Sequence, residues 1–427
     1  MLSTILAVTL ATAACATPFT GESSIDASTA QGPLATHDAR VATVQLTTGD
    51  CSSDFGVSTD IGGSWTPDGR VPESGSALAT DGVEAAPAQL LAIVADQLHL
   101  PDGATVKDGV LVVRDGVIVA AGEVDVPEGA RVVRHDGHVT AGLVAPYSAG
   151  YLPSDESNEN TRPFLPDGRV VYGFDPELPR LADALEQGVT TIVLPPAVSQ
   201  VVGGRTGVVK TYGGHVVSRG AHLALSMGSQ AANVTRAPTS YGGMVRALDG
   251  LFTEPQGAYA EVASGNLGLM TYVSERHEVD RALRLFARHG LKGALVGPSL
   301  AGELAERIAE SGCSVVLPTP DLVPNERERD AMVALFEAKV AFGFWLNDPS
   351  RYRSSAITAL RAGATRDDAL NSITSTAAKI ARVGTSVGQL ARGFDADFVL
   401  WSGDPLEFTT TVEAVYVRGE LAFGGDQ

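Results

Sequence analysis

Between residues 141 and 387, short β-branched runs alternate with segments of helical period. This alternation constrains the fold more than any other feature of the 427-residue chain. Residues 190–194 (TTIVL) predict a strand. A helix over 278–288 precedes a strand over 293–296, and a helix over 301–311 precedes a strand over 314–317. A further helix over 327–338 leads into a strand over 340–342. Strands that alternate with helices build a parallel sheet, because each crossover returns the chain to the same end. A run of about 250 residues has the size of a (βα)8 TIM-like barrel. The expected fold class is therefore α/β.

The pattern changes on both sides of this run. Residues 110–113 and 117–120 read as strands joined at Asp115-Gly116, a hairpin signal, and 130–133 reads as another. Residues 86–99 carry helical spacing. After Val387, strands return at 397–401, 412–417 and 420–423. The two flanks, 86–140 and 388–427, are expected to join as a small discontinuous β-sandwich domain around a barrel at 141–387. The last barrel helix is marked by Thr365 as N-cap, with Asp367 and Asp368 in the first turn, where negative charge suits the helix dipole.

The first 16 residues (MLSTILAVTLATAACA) have an apolar run too short to span a bilayer but suited to a signal peptide. Cleavage after Ala16 and lipidation of Cys15 are both open. Export to the periplasm or cell envelope is expected, with membrane contact only through a Cys15 lipid anchor. Residues 17–85 are rich in Ser, Thr, Gly and Asp, lack lysine, and read as a low-complexity extension. In an oxidising compartment Cys51 and Cys313 could pair; otherwise Cys313 is a small core residue. With 31 Lys and Arg against 50 Asp and Glu, a net charge of −19 argues against nucleic acid as a partner.

Four stretches carry a resemblance: DGVIVAAG at 115–122 with GHVTAGLV at 137–144; QGVTTIVLP at 187–195 with Gly203, Gly204 and GVVK at 207–210; DDALNSIT at 367–374 with AAKI at 377–380; and VGQLARGFDADFVLWSGDP at 387–405. In this order they resemble the amidohydrolase superfamily, in particular its imidazolonepropionase-like and secreted branches. The resemblance implies a hydrolase acting on carbon–nitrogen bonds other than peptide bonds. It also implies one or two divalent metals at the C-terminal mouth of the barrel, which acidify a bound water. A His-x-His pair on the first strand would aim both imidazoles at one ion, since residues i and i+2 share a face.

The matching positions here are Tyr147 and Ala149. Three further family ligand or acid–base positions fall at Val273 (uncertain by one residue), Pro298 and Trp345. These residues predict that the metal centre has been lost, so that no cofactor is expected and the chain is a non-catalytic or weakly active envelope protein. Tyr147, Tyr272, Glu275, Arg276, Trp345 and Asn347 are the expected lining of a pocket for a small polar molecule. By analogy with the family, the chain would form a homo- or hetero-oligomer with an amidohydrolase relative. The alternative is an active hydrolase of amides or cyclic imides, with Zn2+ or another divalent metal held by Lys210, His215 and Asp348. The bland reading of Lys210 is a lysine paired with a carboxylate. Among the histidines, His222 is with His215 the best remaining candidate, and His135 and His138 read as exposed turn residues.

Overall fold

A computed structural model of the chain describes residues 90–153, 161–232 and 235–425. The leader, Cys15, Cys51 and the extension 17–85 lie outside the described residues.

Both flanks enter one seven-stranded sheet. Leu91–His99 pairs antiparallel with Thr105–Arg114 and parallel with Arg131–Ala141. Val117–Gly122 closes one edge through the Asp115-Gly116 turn, where both residues have positive φ (51° and 77°), as a tight hairpin of this hand requires. The C-terminal flank adds Phe398–Trp401 antiparallel to Arg131–Ala141, followed by Val412–Val417 and Glu420–Gly424.

Leu91–His99 is a strand, not the helix its spacing suggests. Leu91, Ile93, Ala95 and Leu98 pack in the main cluster of the sheet, while Ala92 packs with Val110 and Val112 in a second, smaller one. A strand covered on both faces loses its period-two alternation, and a short apolar run then imitates a helix. The Asp136-Gly137 pair also continues a strand rather than turning. A Cβ at Gly137 would sit 2.2 Å from the Trp401 carbonyl, so glycine permits the close approach of the neighbouring strand.

The βα region forms two further sheets. Leu143–Ala145 and Val189–Leu194 run parallel and are joined by the antiparallel strands Gly207–Lys210 and Val216–Ser218. The second sheet places His222–Ser226, Gly268–Tyr272, Ala294–Val296, Ser314–Leu317 and Phe342–Phe344 in parallel sequence, with Val202–Arg205 antiparallel at its edge. The expected ring of eight βα units is thus not one continuous ladder among the described residues. Where it breaks, the chain runs directly from Val202–Arg205 in one sheet to Gly207–Lys210 in the other, with no helix between. Glycine makes that passage possible: a Cβ at Gly204 (φ 113°) would lie 2.7 Å from the Gly168 carbonyl. At the opposite edge, the Leu346 N–H donates to the Tyr147 carbonyl at 2.8 Å.

The helices cover the outside. Arg276–His289 starts at a reciprocal capping box between Glu275 and Glu278 and stops at left-handed Gly290. Val279, Ala282, Leu283 and Phe286 fall on one face and bury it in the main apolar core; truncating Phe286 to alanine removes about 3–5 kcal/mol. Inside the strands a separate cluster of Val144, Val193, Val208, Met270, Val296 and Val316 fills the space. The parallel strands therefore present two ends, one carrying Tyr147, Ser226, Tyr272 and Trp345, the other Ala221, Gly268, Gly293 and Ala341. Among the described residues, no helix is long and apolar enough to cross a membrane.

Candidate active-site mouth

Strand parity decides what faces the mouth. In Gly268–Tyr272, Met270 and Tyr272 point inward, while Leu269 and the following Val273 belong to the outer core. The inward residue at this strand end is therefore Tyr272, one position before Val273. Tyr147 is buried and meets Trp345 edge to face, with ring centroids 4.9 Å apart at 80°. Ala149 packs, half-buried, against the same cluster. Pro298 faces a separate recess beside Leu317, Met332 and Phe344.

The three rings crowd this end of the strands. Between Tyr147, Tyr272, Met270, Pro196 and Ser226 the free space is about 10 Å³, room for one water at most. Burial drives the Tyr147 phenol well above the ordinary tyrosine range, and burial with the nearby Glu278 carboxylate raises Tyr272 as well. Both phenols are thus neutral and poor ligands for a cation. The buried Ser226 hydroxyl and Trp345 indole N–H have no protein partner. Among the described residues, no group of three or more His, Cys, Asp or Glu side chains could hold a metal ion. Two phenols, an indole, a methionine and a serine do not fit the hard oxygen and imidazole donor sets of a hydrolytic metal.

The other candidates are dispersed. Lys210 lies opposite Thr191, at the end of the strands away from the mouth. Its ammonium is buried and sits 2.5 Å from Asp397 and 2.8 Å from Asp395. Asp397 also accepts from the Arg418 N–H at 2.9 Å. Burial pushes the Asp397 carboxyl up, and Lys210 opposes that shift. His215 lies near Lys210, its carbonyl accepting the Lys210 N–H, with its ring 3.4 Å from Arg418. Asp348 instead caps the helix Pro349–Arg361 by accepting from the Ser350 N–H. Glu275 caps its own helix, Arg276 pairs on the surface with Glu303, and the exposed Asn347 offers its carbonyl to Arg180.

His222 is buried, and both ring nitrogens are engaged, with Thr206 Oγ1 at 3.1 Å and the Ile380 carbonyl at 2.8 Å. Burial lowers its pKa to about 4, so it is neutral. His135 and His138 stand on Arg131–Ala141, not in an exposed turn: His135 donates to the Trp401 carbonyl, and His138 contacts His99 at 2.9 Å. Glu278, which sequence reasoning passed over, is buried beside the mouth. It accepts from Tyr241 Oη at 2.7 Å and from the Ser274 N–H at 2.7 Å. Its signal in the sequence was the acidic pair three residues apart at a helix start.

No family model matches the sequence, and no curated protein matches it. Solved structures do. An amidohydrolase from Thermotoga maritima MSB8 superposes with a TM-score of 0.69 at 22% identity, covering 78% of this chain and 100% of that one. The fold is that of the amidohydrolases. A prolidase complexed with N-methylphosphonate-L-proline (TM-score 0.53, 16% identity) and the A. niger ochratoxinase (0.52, 16%) share it, over 79% of this chain and 100% and 96% of theirs. On this amidohydrolase fold, the strand ends that face the mouth carry aromatic rings in this chain.

Proposed function

We propose that this chain is an amidohydrolase-fold protein that binds without hydrolysing. The observation that carries the reading is the mouth itself, where Tyr147 meets Trp345 edge to face and the space it shares with Tyr272 holds about one water. A scissile amide needs an activated water; among the described residues no metal-ligand cluster faces this mouth, and the Glu278 carboxylate beside it is engaged by the Tyr241 hydroxyl and the Ser274 N–H. Lys210 is not available as a substitute, because Asp395 and Asp397 hold it at the far end of the strands.

The binding surface for a small polar molecule is then the recess beside the mouth rather than the mouth. It measures about 230 Å³ and combines the apolar Leu317, Met332 and Phe344 with Ser299, Asn325 and Arg327. That mixture of apolar walls and a few polar groups suits a small ligand. Export to the cell envelope and assembly with an active amidohydrolase relative complete the proposal. The test is metal analysis of the purified full-length protein together with a panel of N-acyl and cyclic amides. The expected result is far less than one metal per chain and no turnover. One zinc per chain with turnover of any panel member overturns the reading.

A further inference from the structure

The chain has only five lysines, and three of them, Lys292, Lys339 and Lys379, line one cavity of about 430 Å³. Arg382 joins them. The cavity sits at the opposite end of the strands from the mouth, where Gly268, Gly293, Ser314 and Ala341 begin or precede the parallel strands. No Asp or Glu lines it, although the chain carries a net charge of −19. Among the described residues, none of these three lysines forms a salt bridge. Arg382 donates to the carbonyls of Gly265 and Asn266.

Helix dipoles explain part of this. The helices Arg276–His289, Ala305–Ser311, Glu326–Glu337 and Ser375–Ile380 end on this side, and a helix C-terminus attracts cations. Each end carries roughly half a negative charge, so together they offset about two of the four positive charges. About two positive charges are left over in one recess.

The backbone fixes where two of these side chains start. Lys339 and Arg382 both have left-handed backbone (φ 57° and 60°). Lys339 follows Glu326–Glu337 just where a helix normally places glycine, and its N–H closes the turn on the Phe336 carbonyl. Lys339 thus holds a conformation that glycine adopts more readily.

We propose that this recess binds a small phosphorylated molecule carrying at least two negative charges. Lys292, Lys339, Lys379 and Arg382 would grip its phosphate oxygens by charge-assisted hydrogen bonds. Glycine at 268 lets Arg382 and His222 pack against the recess floor: a Cβ there would stand 2.3 Å from Arg382 Cδ and 2.5 Å from His222 Cδ2.

Titration calorimetry of the full-length protein with inorganic pyrophosphate at low ionic strength tests this. The expected result is one site per chain that weakens roughly tenfold for each of Lys339→Gln and Lys379→Gln, with Lys107→Gln unchanged. Lys339→Gly separates binding from folding. Glycine relieves the left-handed backbone, so the melting temperature should hold or rise while pyrophosphate affinity falls. No saturable binding, or equal affinity in the wild type and the Lys339→Gln/Lys379→Gln double variant, overturns the proposal.

Discussion

Acid should unfold this protein through its buried histidines. His222 is held neutral by burial, with Arg382 adding to the effect and the Ile380 carbonyl opposing it, and its pKa falls from 6.5 to about 4. His99 falls to about 4 as well, through burial and the neighbouring His138. The unfolded chain regains the ordinary value, so between these pKa values it binds more protons than the folded chain. Stability is then fully present above pH 6.5 and is lost as pH falls towards 4. Going from about pH 7 to about pH 4.5 crosses two units of that window, or about 2.5 kcal/mol for each histidine. Urea unfolding followed by circular dichroism at both pH values measures this for the wild type and for His222→Gln. A glutamine side chain cannot take up the proton, so the variant should lose about 2.5 kcal/mol less over the same interval, whatever its stability at neutral pH. An identical pH dependence in the two proteins would refute the reasoning.

Three further outcomes follow from the packing. Lys210→Met should destabilise the protein by about 3–5 kcal/mol, because it leaves Asp397 buried beside Asp395 without a cation; replacing both aspartates by asparagine in the same chain should recover part of the loss in urea titrations. Trp345→Ala should lower stability by about 1–3 kcal/mol, since the half-buried indole loses its contact with Tyr147, and let small aromatic molecules enter the mouth, which titration calorimetry with indole or phenol would report. Gly137→Ala should cost about 1–3 kcal/mol in thermal or chemical melts, since its methyl meets the Trp401 carbonyl.

Local signals were legible in the sequence and non-local ones were not. The Thr365 cap is present as expected, accepting from the Asp368 N–H. The strands at 314–317 and 412–417 lie where β-branched runs place them. The position near Val273 was open by one residue, and strand parity, which no linear motif encodes, puts Tyr272 and not Val273 on the inward face. The Lys210–Asp397 pair joins residues 187 positions apart, and no periodicity encodes that meeting. The lysine-lined recess is of the same kind: Lys292, Lys339 and Lys379 come together only because parallel strands gather their starting loops at one end. The break in the ring was not read from the sequence: Gly203, Gly204 and Gly207 crowd the segment that crosses between sheets, but glycines alone do not distinguish a crossing from a loop.

The sheet shared by the two flanks has a consequence for biosynthesis. Arg131–Ala141 has Leu91–His99 on one side but receives its other neighbour only from Phe398–Trp401, near the end of the chain. Until Phe398–Trp401 leaves the ribosome, that strand edge lacks the partner it has in the folded protein. The sheet therefore stays incomplete until that strand arrives, and any product stopped short of Phe398 would carry an open edge ready to aggregate or be degraded.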